Sequence, residues 1–318
     1  MGLDNLLIHI GYHKTGTTWL QRELFVREHP VFEPLSRGNK KQSNLCRHFV
    51  MDDEAYLLNP SSPASPNYKK EMNYILEKHP AGKDKIWVLS NERFSGNPHG
   101  GGFDSQSIAR RLKEEFPEAK VLIIIREQKS FLLSNYFQYL SIGGDRGLDQ
   151  YLSQKYDGKN SSFSPNHIKY HHLITKYYEL FGADHVLVLP YEVFAQNKPL
   201  FFDKMGAFLG RTIQLPGEAS NKFHNRKRNF YLNYKLRILH AMTRPGSVNR
   251  YNKVNRTRRR LYHWGFYLGE KVVPASWDKW ILDKSKEKIT SWCDGRFEES
   301  NVKTSELIKI NLKEWGYA

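Results

Sequence analysis

Between Leu6 and Trp19 the chain reads LLIHIGYHKTGTTW, an apolar run that breaks into a loop bounded by Gly11 and Gly16, after which a helix is expected to begin. A strand feeding such a loop and a helix start makes a cradle for an oxyanion. Glycines let the backbone come close, while unpaired amides and the helix dipole face negative charge. Lys14 lies inside the loop, and Thr15, Thr17 and Thr18 add hydroxyls beside it. A loop that cradles ATP or GTP reads G-x-x-x-x-G-K-[ST], with its Lys directly after the second Gly so that it reaches the terminal phosphates beside magnesium. Here Thr17 holds that position, which argues against a P-loop kinase while leaving it as one alternative.

A second group of residues follows a later apolar run. Arg126 ends the run Val121–Ile125, and the segment REQKSFLLSNYFQYL places Ser134 eight residues on, about two turns into the next helix. Both can face the crevice outside the carboxyl ends of the strands, where open α/β sheets bind ligands. The elements that position these groups are legible as alternating patterns. Apolar, β-rich runs at Leu6–Ile10, Ile86–Leu89, Val121–Ile125 and Val186–Leu189 alternate with helical spacing at Ser105–Phe116, His167–Phe181 and Pro199–Leu209. In the first of these helices Ile108, Leu112 and Phe116 share a face, with Asp104 or Ser105 as N-cap. The pattern predicts an α/β fold with a central parallel sheet flanked by helices on both faces. Two irregular segments interrupt it, Pro34–Asn67 and the glycine-rich Gly96–Gly102; such segments are either functional or plain surface loops.

The chain has 318 residues, enough for one large α/β domain over 1–318, and a formal net charge of +16, which predicts attraction to polyanions. Cys46 and Cys293 are its two cysteines, so neither a disulfide framework nor a thiolate cluster for zinc is expected, and no metal. The N-terminus lacks a basic leader and no apolar run has the length of a membrane span. A soluble, cytoplasmic protein is the expectation.

The string Tyr12-His13-Lys14-Thr15-Gly16-Thr17-Thr18-Trp19 resembles the phosphosulfate-binding loop of sulfotransferases that use 3′-phosphoadenosine 5′-phosphosulfate (PAPS). Arg126 with Ser134 is similar to the 3′-phosphate site of the same family. The stretch VLVLPYEVFAQNKPLFFDKMGAFLG, Val186 to Gly210, looks like its strand, Tyr-Glu pair and Phe-Leu-Gly helix end. Phe297-Glu298-Glu299-Ser300-Asn301 and Trp315-Gly316-Tyr317 resemble the tails of bacterial members. The resemblance implies a P-loop NTPase-like sheet with a PAPS-binding core over about 5–225 and a basic, aromatic, helical part over about 226–318. It puts Lys14 on the bridging or sulfuryl oxygens. Thr17, Thr18 and the amides around Gly16 would hold the 5′-phosphate, with Thr15 among the nucleotide contacts. Tyr191 and Trp19 become candidates for the adenine pocket, although Tyr191 could equally be core. The product would be adenosine 3′,5′-bisphosphate, and the arrangement requires no magnesium.

An acceptor hydroxyl or amine also needs a base. Cytosolic members of the family end the strand after the cradle unit with a catalytic His, whereas carbohydrate-directed relatives use a Glu. In IWVLSNERFSG the first ionisable residue past that strand is Glu92, and a carboxylate partly desolvated at a crevice rises in pKa toward the range of a general base. The other reading is an ion pair between Glu92 and Arg93. His13 is the second candidate base. A Glu in this position and the basic chain together favour a carbohydrate or glycolipid acceptor. Between Arg226 and Lys271 there are thirteen Lys or Arg residues against one acidic residue, Glu270. Arg226-Lys227-Arg228 stands where a late basic loop of the family closes over the 3′-phosphate, though without the Gly that ends that motif. The interleaved aromatics could meet an anionic membrane or glycolipid, or could be core beneath a solvated basic face. A nucleic-acid binder without catalysis would explain the charge but not the ordered motifs, and no nucleic acid is expected as a partner.

Overall fold

A computed structural model describes residues 5–35, 45–50, 67–78, 84–153, 163–215, 230–235, 237, 264–269 and 271–317. Arg226, Lys227 and Arg228, and most of the segment from 34 to 67, lie outside the described residues.

Five strands, β1 (Leu6–Gly11), β2 (Phe32–Pro34), β3 (Ile86–Ser90), β4 (Lys120–Ile125) and β5 (Val186–Pro190), form one parallel sheet in the order β2-β3-β1-β4-β5. Ile8 pairs with Leu89 on one side and Val121 on the other. β1 is buried along its whole length, as a central parallel strand covered on both faces must be, which is why its sequence is continuously apolar. Alternate residues serve the two faces. Leu6, Ile8 and Ile10 pack with Val121, Ile123 and Ile125 in one cluster, while Leu7 joins Leu122 and Ile124 in the other.

After β1 comes a short helix, α1 (Thr17–Trp19), which widens into a π-helical stretch, Leu20–Leu24. The further helices are α2 (Asn67–Lys78), α3 (Ser105–Glu115), α4 (Gln128–Ser141), α5 (Leu148–Ser153), α6 (His171–Phe181), α7 (Tyr191–Gln196), α8 (Lys198–Leu209), α9 (Phe230–Lys235), α10 (Ala275–Cys293) and α11 (Glu298–Ile308). The first cluster is completed by Ile108 and Leu112 of α3, Phe131 of α4, Ile174 of α6 and Ile281 and Ile289 of α10. The second is completed by Leu20, Leu24, Phe194 of α7 and Phe201, Phe202 and Met205 of α8. The architecture is thus α/β with helices on both faces, as the alternating pattern predicts.

Two local expectations are corrected. β2 has only three residues at the sheet edge, too few to show a period, and is absent from the four runs read as strands from the sequence. The helix expected over His167–Phe181 begins at His171, because Pro165–Ile168 forms a separate 3-10 turn. That segment is drawn off helical geometry by long-range partners: the Ile168 carbonyl accepts from Gln128 at 3.5 Å, and the Tyr170 hydroxyl donates to the Arg126 carbonyl.

The C-terminal motifs fasten the ends of β4 and β5. Buried Asn301 exchanges amide hydrogen bonds with buried Gln128, at 2.7 and 3.4 Å. The Tyr317 hydroxyl donates to Glu192 at 2.9 Å, and the other Glu192 oxygen accepts from the Glu127 amide at 3.1 Å.

Candidate active site

The chain leaves β1 for the sheet edge at β2, returns through β3 beside β1, and crosses to β4 on the opposite side. The carboxyl end of β1 is therefore the switch point of the sheet, where neighbouring connections diverge and open a crevice. Residues from the ends of β1, β3, β4 and β5 meet there.

At the end of β1, Gly11 has no Cβ because one would stand 2.2 Å from Thr17 Oγ1 and 2.8 Å from Thr15 Oγ1. Lys14 adopts a left-handed conformation, φ 69°, which costs a non-glycine residue about 1–2 kcal/mol. Two contacts brace the loop: Thr15 Oγ1 donates to the Tyr12 carbonyl, and Arg126 Nη1 donates to the Lys14 carbonyl, both at 2.6 Å. Gly16 is also left-handed, φ 79°, and a Cβ there would meet the Tyr191 ring at 3.2 Å. The Arg126 guanidinium lies 5.0 Å from the centroid of the same ring. Lys14 and Gly16 of this loop, with Arg126 and Tyr191 from far along the sequence, are thereby one contact group. Thr17 Oγ1 is buried in this cradle without a hydrogen-bond partner. Thr18 is exposed, and Ser134 is half-buried on α4. Trp19 packs its half-buried ring on Phe194 at 5.0 Å and Phe202 at 6.3 Å, beneath Lys198 Nζ at 5.1 Å, at the margin of the second core cluster.

At the end of β3, Asn91 caps the 3-10 turn Glu92–Ser95 by accepting from the Arg93 amide at 2.9 Å. The Glu92 side chain keeps 38% exposure and lies 3.8 Å from His13 Nε2. Burial raises its pKa above the ordinary carboxylate value, against the opposing pull of Lys14 and Arg93. Arg93 directs its guanidinium to Asp104, 3.2 Å away. Asp104 precedes α3 but caps it with no side-chain bond, because its oxygens take Arg93 and, at 2.9 Å, the Asn97 amide. His13 is held well below the usual histidine pKa, first by burial and then by His99, His167, Arg93 and Lys14. It is therefore neutral, so its approach to Glu92 is not an ion pair, and 3.8 Å exceeds a hydrogen bond.

Sequence reasoning missed the groups beneath this turn. Ser90 hydrogen-bonds with His9 at 2.7 Å and accepts from Gln21 at 3.0 Å, while His99 and His167 are buried close to His13. Their wide spacing along the chain carries no signal of this proximity. Among the described residues no group of three or more His, Cys, Asp and Glu side chains is arranged to hold a metal ion. No helix among them is long and apolar enough to cross a membrane.

The family profile described as "Sulfotransferase domain" matches residues 4–235. No curated protein sequence matches the chain. Among solved structures, a sulfotransferase from Alicyclobacillus acidocaldarius superposes with a TM-score of 0.56 at 14% identity, over 98% of each chain. Mouse sulfotransferase SULT7A1 complexed with PAP gives 0.41 at 14% identity, over 97% of this chain and 90% of that one. Retinol dehydratase in complex with androsterone and inactive cofactor PAP gives 0.36 at 11% identity, over 94% and 82%.

Proposed function

The chain belongs to the sulfotransferase domain family, and from that premise we propose that it transfers the sulfuryl group of PAPS to a hydroxyl of a carbohydrate or glycolipid. The observation that carries the donor assignment is the Thr17 hydroxyl, buried and unpartnered inside a cradle braced by Arg126. Buried polar groups are nearly always hydrogen-bonded, so a lone hydroxyl in an oxyanion loop fits a phosphate oxygen.

Thr17, Thr18 and the amides around Gly16 then hold the 5′-phosphate, with Thr15 keeping the loop in shape. Arg126 and Ser134 take the 3′-phosphate, and Tyr191 offers a ring for adenine beside Arg126. Trp19 borders the pocket through Phe194 rather than through an open face. The donor, when bound, supplies a sulfuryl group whose departure leaves adenosine 3′,5′-bisphosphate. Lys14 stabilises charge that develops on the transferred group and its leaving oxygen, in a reaction governed by positioning and electrostatics. Glu92 accepts the proton of the acceptor hydroxyl as its oxygen attacks sulfur. Its raised pKa suits that task, and Arg93 is engaged by Asp104 instead.

Calorimetry of Arg126→Ala tests the donor site. Losing one charge-assisted contact weakens adenosine 3′,5′-bisphosphate binding by about 1.5–3 kcal/mol. Release of the Lys14 carbonyl lowers transfer as well. Unchanged bisphosphate affinity rejects the site, and tighter binding of ATP than of the bisphosphate by the wild type favours a kinase.

A glycolipid acceptor also calls for a surface that meets membranes. Trp264, Tyr267, Val272, Trp277 and Trp280 are exposed, with Lys271 over Tyr267 at 4.6 Å and Lys284 over Trp280 at 5.2 Å. These parts join through α9, where the Tyr231 ring packs at a tilt against Trp277, 4.8 Å between centroids, and Leu232 fills the space beside Gly269. Aromatics flanked by lysines on a chain of net charge +16 support contact with an anionic bilayer. The protein should sediment with phosphatidylserine-containing vesicles more than with pure phosphatidylcholine, and Trp264→Ala with Trp280→Ala should lose most of that binding. Equal sedimentation with both vesicle types would remove membrane contact from the reading.

A further inference from the structure

One peptide unit, Arg126–Glu127, joins β4 to α4, and both of its polar groups are held by distant side chains. Its carbonyl accepts from the Tyr170 hydroxyl, and its N–H donates to Glu192 Oε1 at 3.1 Å. Ile125, just before it, is paired with Pro190 in the sheet. Because the peptide is planar, these contacts fix the direction in which the Arg126 side chain leaves the chain. The guanidinium then lies 5.0 Å from the Tyr191 ring centroid and gives Nη1 to the Lys14 carbonyl, while Arg126 Nε is buried without a hydrogen-bond partner. An unmet buried donor of this kind calls for a ligand acceptor.

Glu192 is itself held from the C-terminal part of the chain. Its second oxygen accepts from the Tyr317 hydroxyl at 2.9 Å. Tyr317 reaches it through local geometry. Leu312–Trp315 forms a 3-10 turn anchored by buried Leu312, and Gly316, at φ 86°, reverses the chain in the left-handed region open to glycine. The Tyr317 amide closes that reversal on the Leu312 carbonyl at 3.2 Å, and its side chain is buried. α11 adds a second hold one residue further on, where Asn301 bonds Gln128.

The chemistry of the contact sets its consequence. A carboxylate offers only acceptors, and Glu192 meets donors on both oxygens. Burial raises its pKa, opposed by these bonds and by the charge of Arg126, which is close enough to act on it. Without the Tyr317 hydroxyl, one oxygen of a largely buried carboxylate loses its donor. An under-satisfied carboxylate draws on the neighbouring cation. Arg126 would then be shared between Glu192 and a phosphate.

We infer that Tyr317 is a positioning residue for the donor site: it holds Glu192 on the Arg126–Glu127 peptide and so leaves the Arg126 guanidinium to the 3′-phosphate. The inference rests on the reading of Arg126 as the group that takes the 3′-phosphate.

The test is calorimetry with adenosine 3′,5′-bisphosphate and with AMP, which lacks the 3′-phosphate, on the wild type, Tyr317→Phe, Arg126→Ala and the double variant. Phenylalanine keeps the buried ring and removes the hydroxyl alone. Tyr317→Phe should weaken bisphosphate binding about tenfold, the lower end of what one hydrogen bond to a charged group contributes, and leave AMP binding nearly unchanged. In the Arg126→Ala background the same substitution should cost little further, because members of one network are not additive. A role in folding alone gives equal losses on both nucleotides, or a loss that adds in full to that of Arg126→Ala. Either result overturns the inference, as does wild-type bisphosphate affinity in Tyr317→Phe. Tyr170→Phe releases the other end of the same peptide. It should show the same loss confined to the bisphosphate, and it carries the comparison on the same terms if Tyr317→Phe fails to fold. Unchanged bisphosphate affinity in Arg126→Ala instead overturns the donor reading, and this inference with it.

Discussion

Lys14→Gly is expected to abolish sulfuryl transfer without lowering the melting temperature. Most substitutions in a catalytic loop confound lost chemistry with lost structure, but Lys14 is already in the left-handed region, φ 69°, where glycine is at ease. Relief of about 1–2 kcal/mol of backbone strain offsets the extra chain entropy of glycine, about 0.5–1 kcal/mol, so the folded state holds steady or gains. The bracing bond from Arg126 goes to the Lys14 carbonyl, which glycine keeps. What disappears is the ammonium proposed to meet developing charge. Removing one such group from a preorganised site lowers turnover by about 10²–10³-fold, and the added loss of a full positive charge takes it further. Turnover per folded molecule, with melting followed by circular dichroism, checks both halves. A stable variant that turns over near the wild-type rate removes Lys14 from the chemistry.

Glu92→Gln should reduce turnover by about 10²–10⁴-fold while bisphosphate affinity stays nearly unchanged. The amide keeps the size of the carboxylate but cannot take a proton. Because burial raises the Glu92 pKa, the wild-type rate should fall on the acid side at a pH above the ordinary carboxylate range, and the variant should lack that limb. The stability sign is opposite to that of a structural carboxylate. A raised folded pKa means that protonated Glu92 favours the fold below its unfolded pKa, and that this contribution is lost as pH rises through the folded value. The neutral amide should therefore hold or raise the melting temperature at neutral pH. Melting lowered with the rate within threefold of wild type would make Glu92 a structural residue and bring His13 forward as the base, although burial lowers its basicity.

Local features of the chain were sufficient for much of this. The continuous apolarity of Leu6–Ile10 and Val121–Ile125 announces central parallel strands, since both faces are covered. The glycine-bounded loop, Arg126 at a strand end and Ser134 in the following helix are readable because strand, turn and helix periods are short-range properties. Tyr191 stands at the end of β5, also within reach of such reasoning, and its contact with both Gly16 and Arg126 follows from the strand order.

The remainder depends on contacts between distant segments. β2 is too short to carry a period, and the order of the strands is set by which apolar edges meet in the core. The pairing of Arg93 with Asp104 rather than Glu92 was decided by how the turn after β3 folds back on α3, which no spacing reveals. The tail residues Asn301 and Tyr317 acquire their meaning from Gln128 and Glu192, far off in sequence. The sequence by itself thus determined the sheet-and-cradle plan, because hydrophobic period and glycine conformational freedom are local. Only the tertiary structure decided that His13, His99 and His167, from three separate connections, are buried near one another beside Glu92, because burial and hydrogen-bond satisfaction are properties of the packed whole.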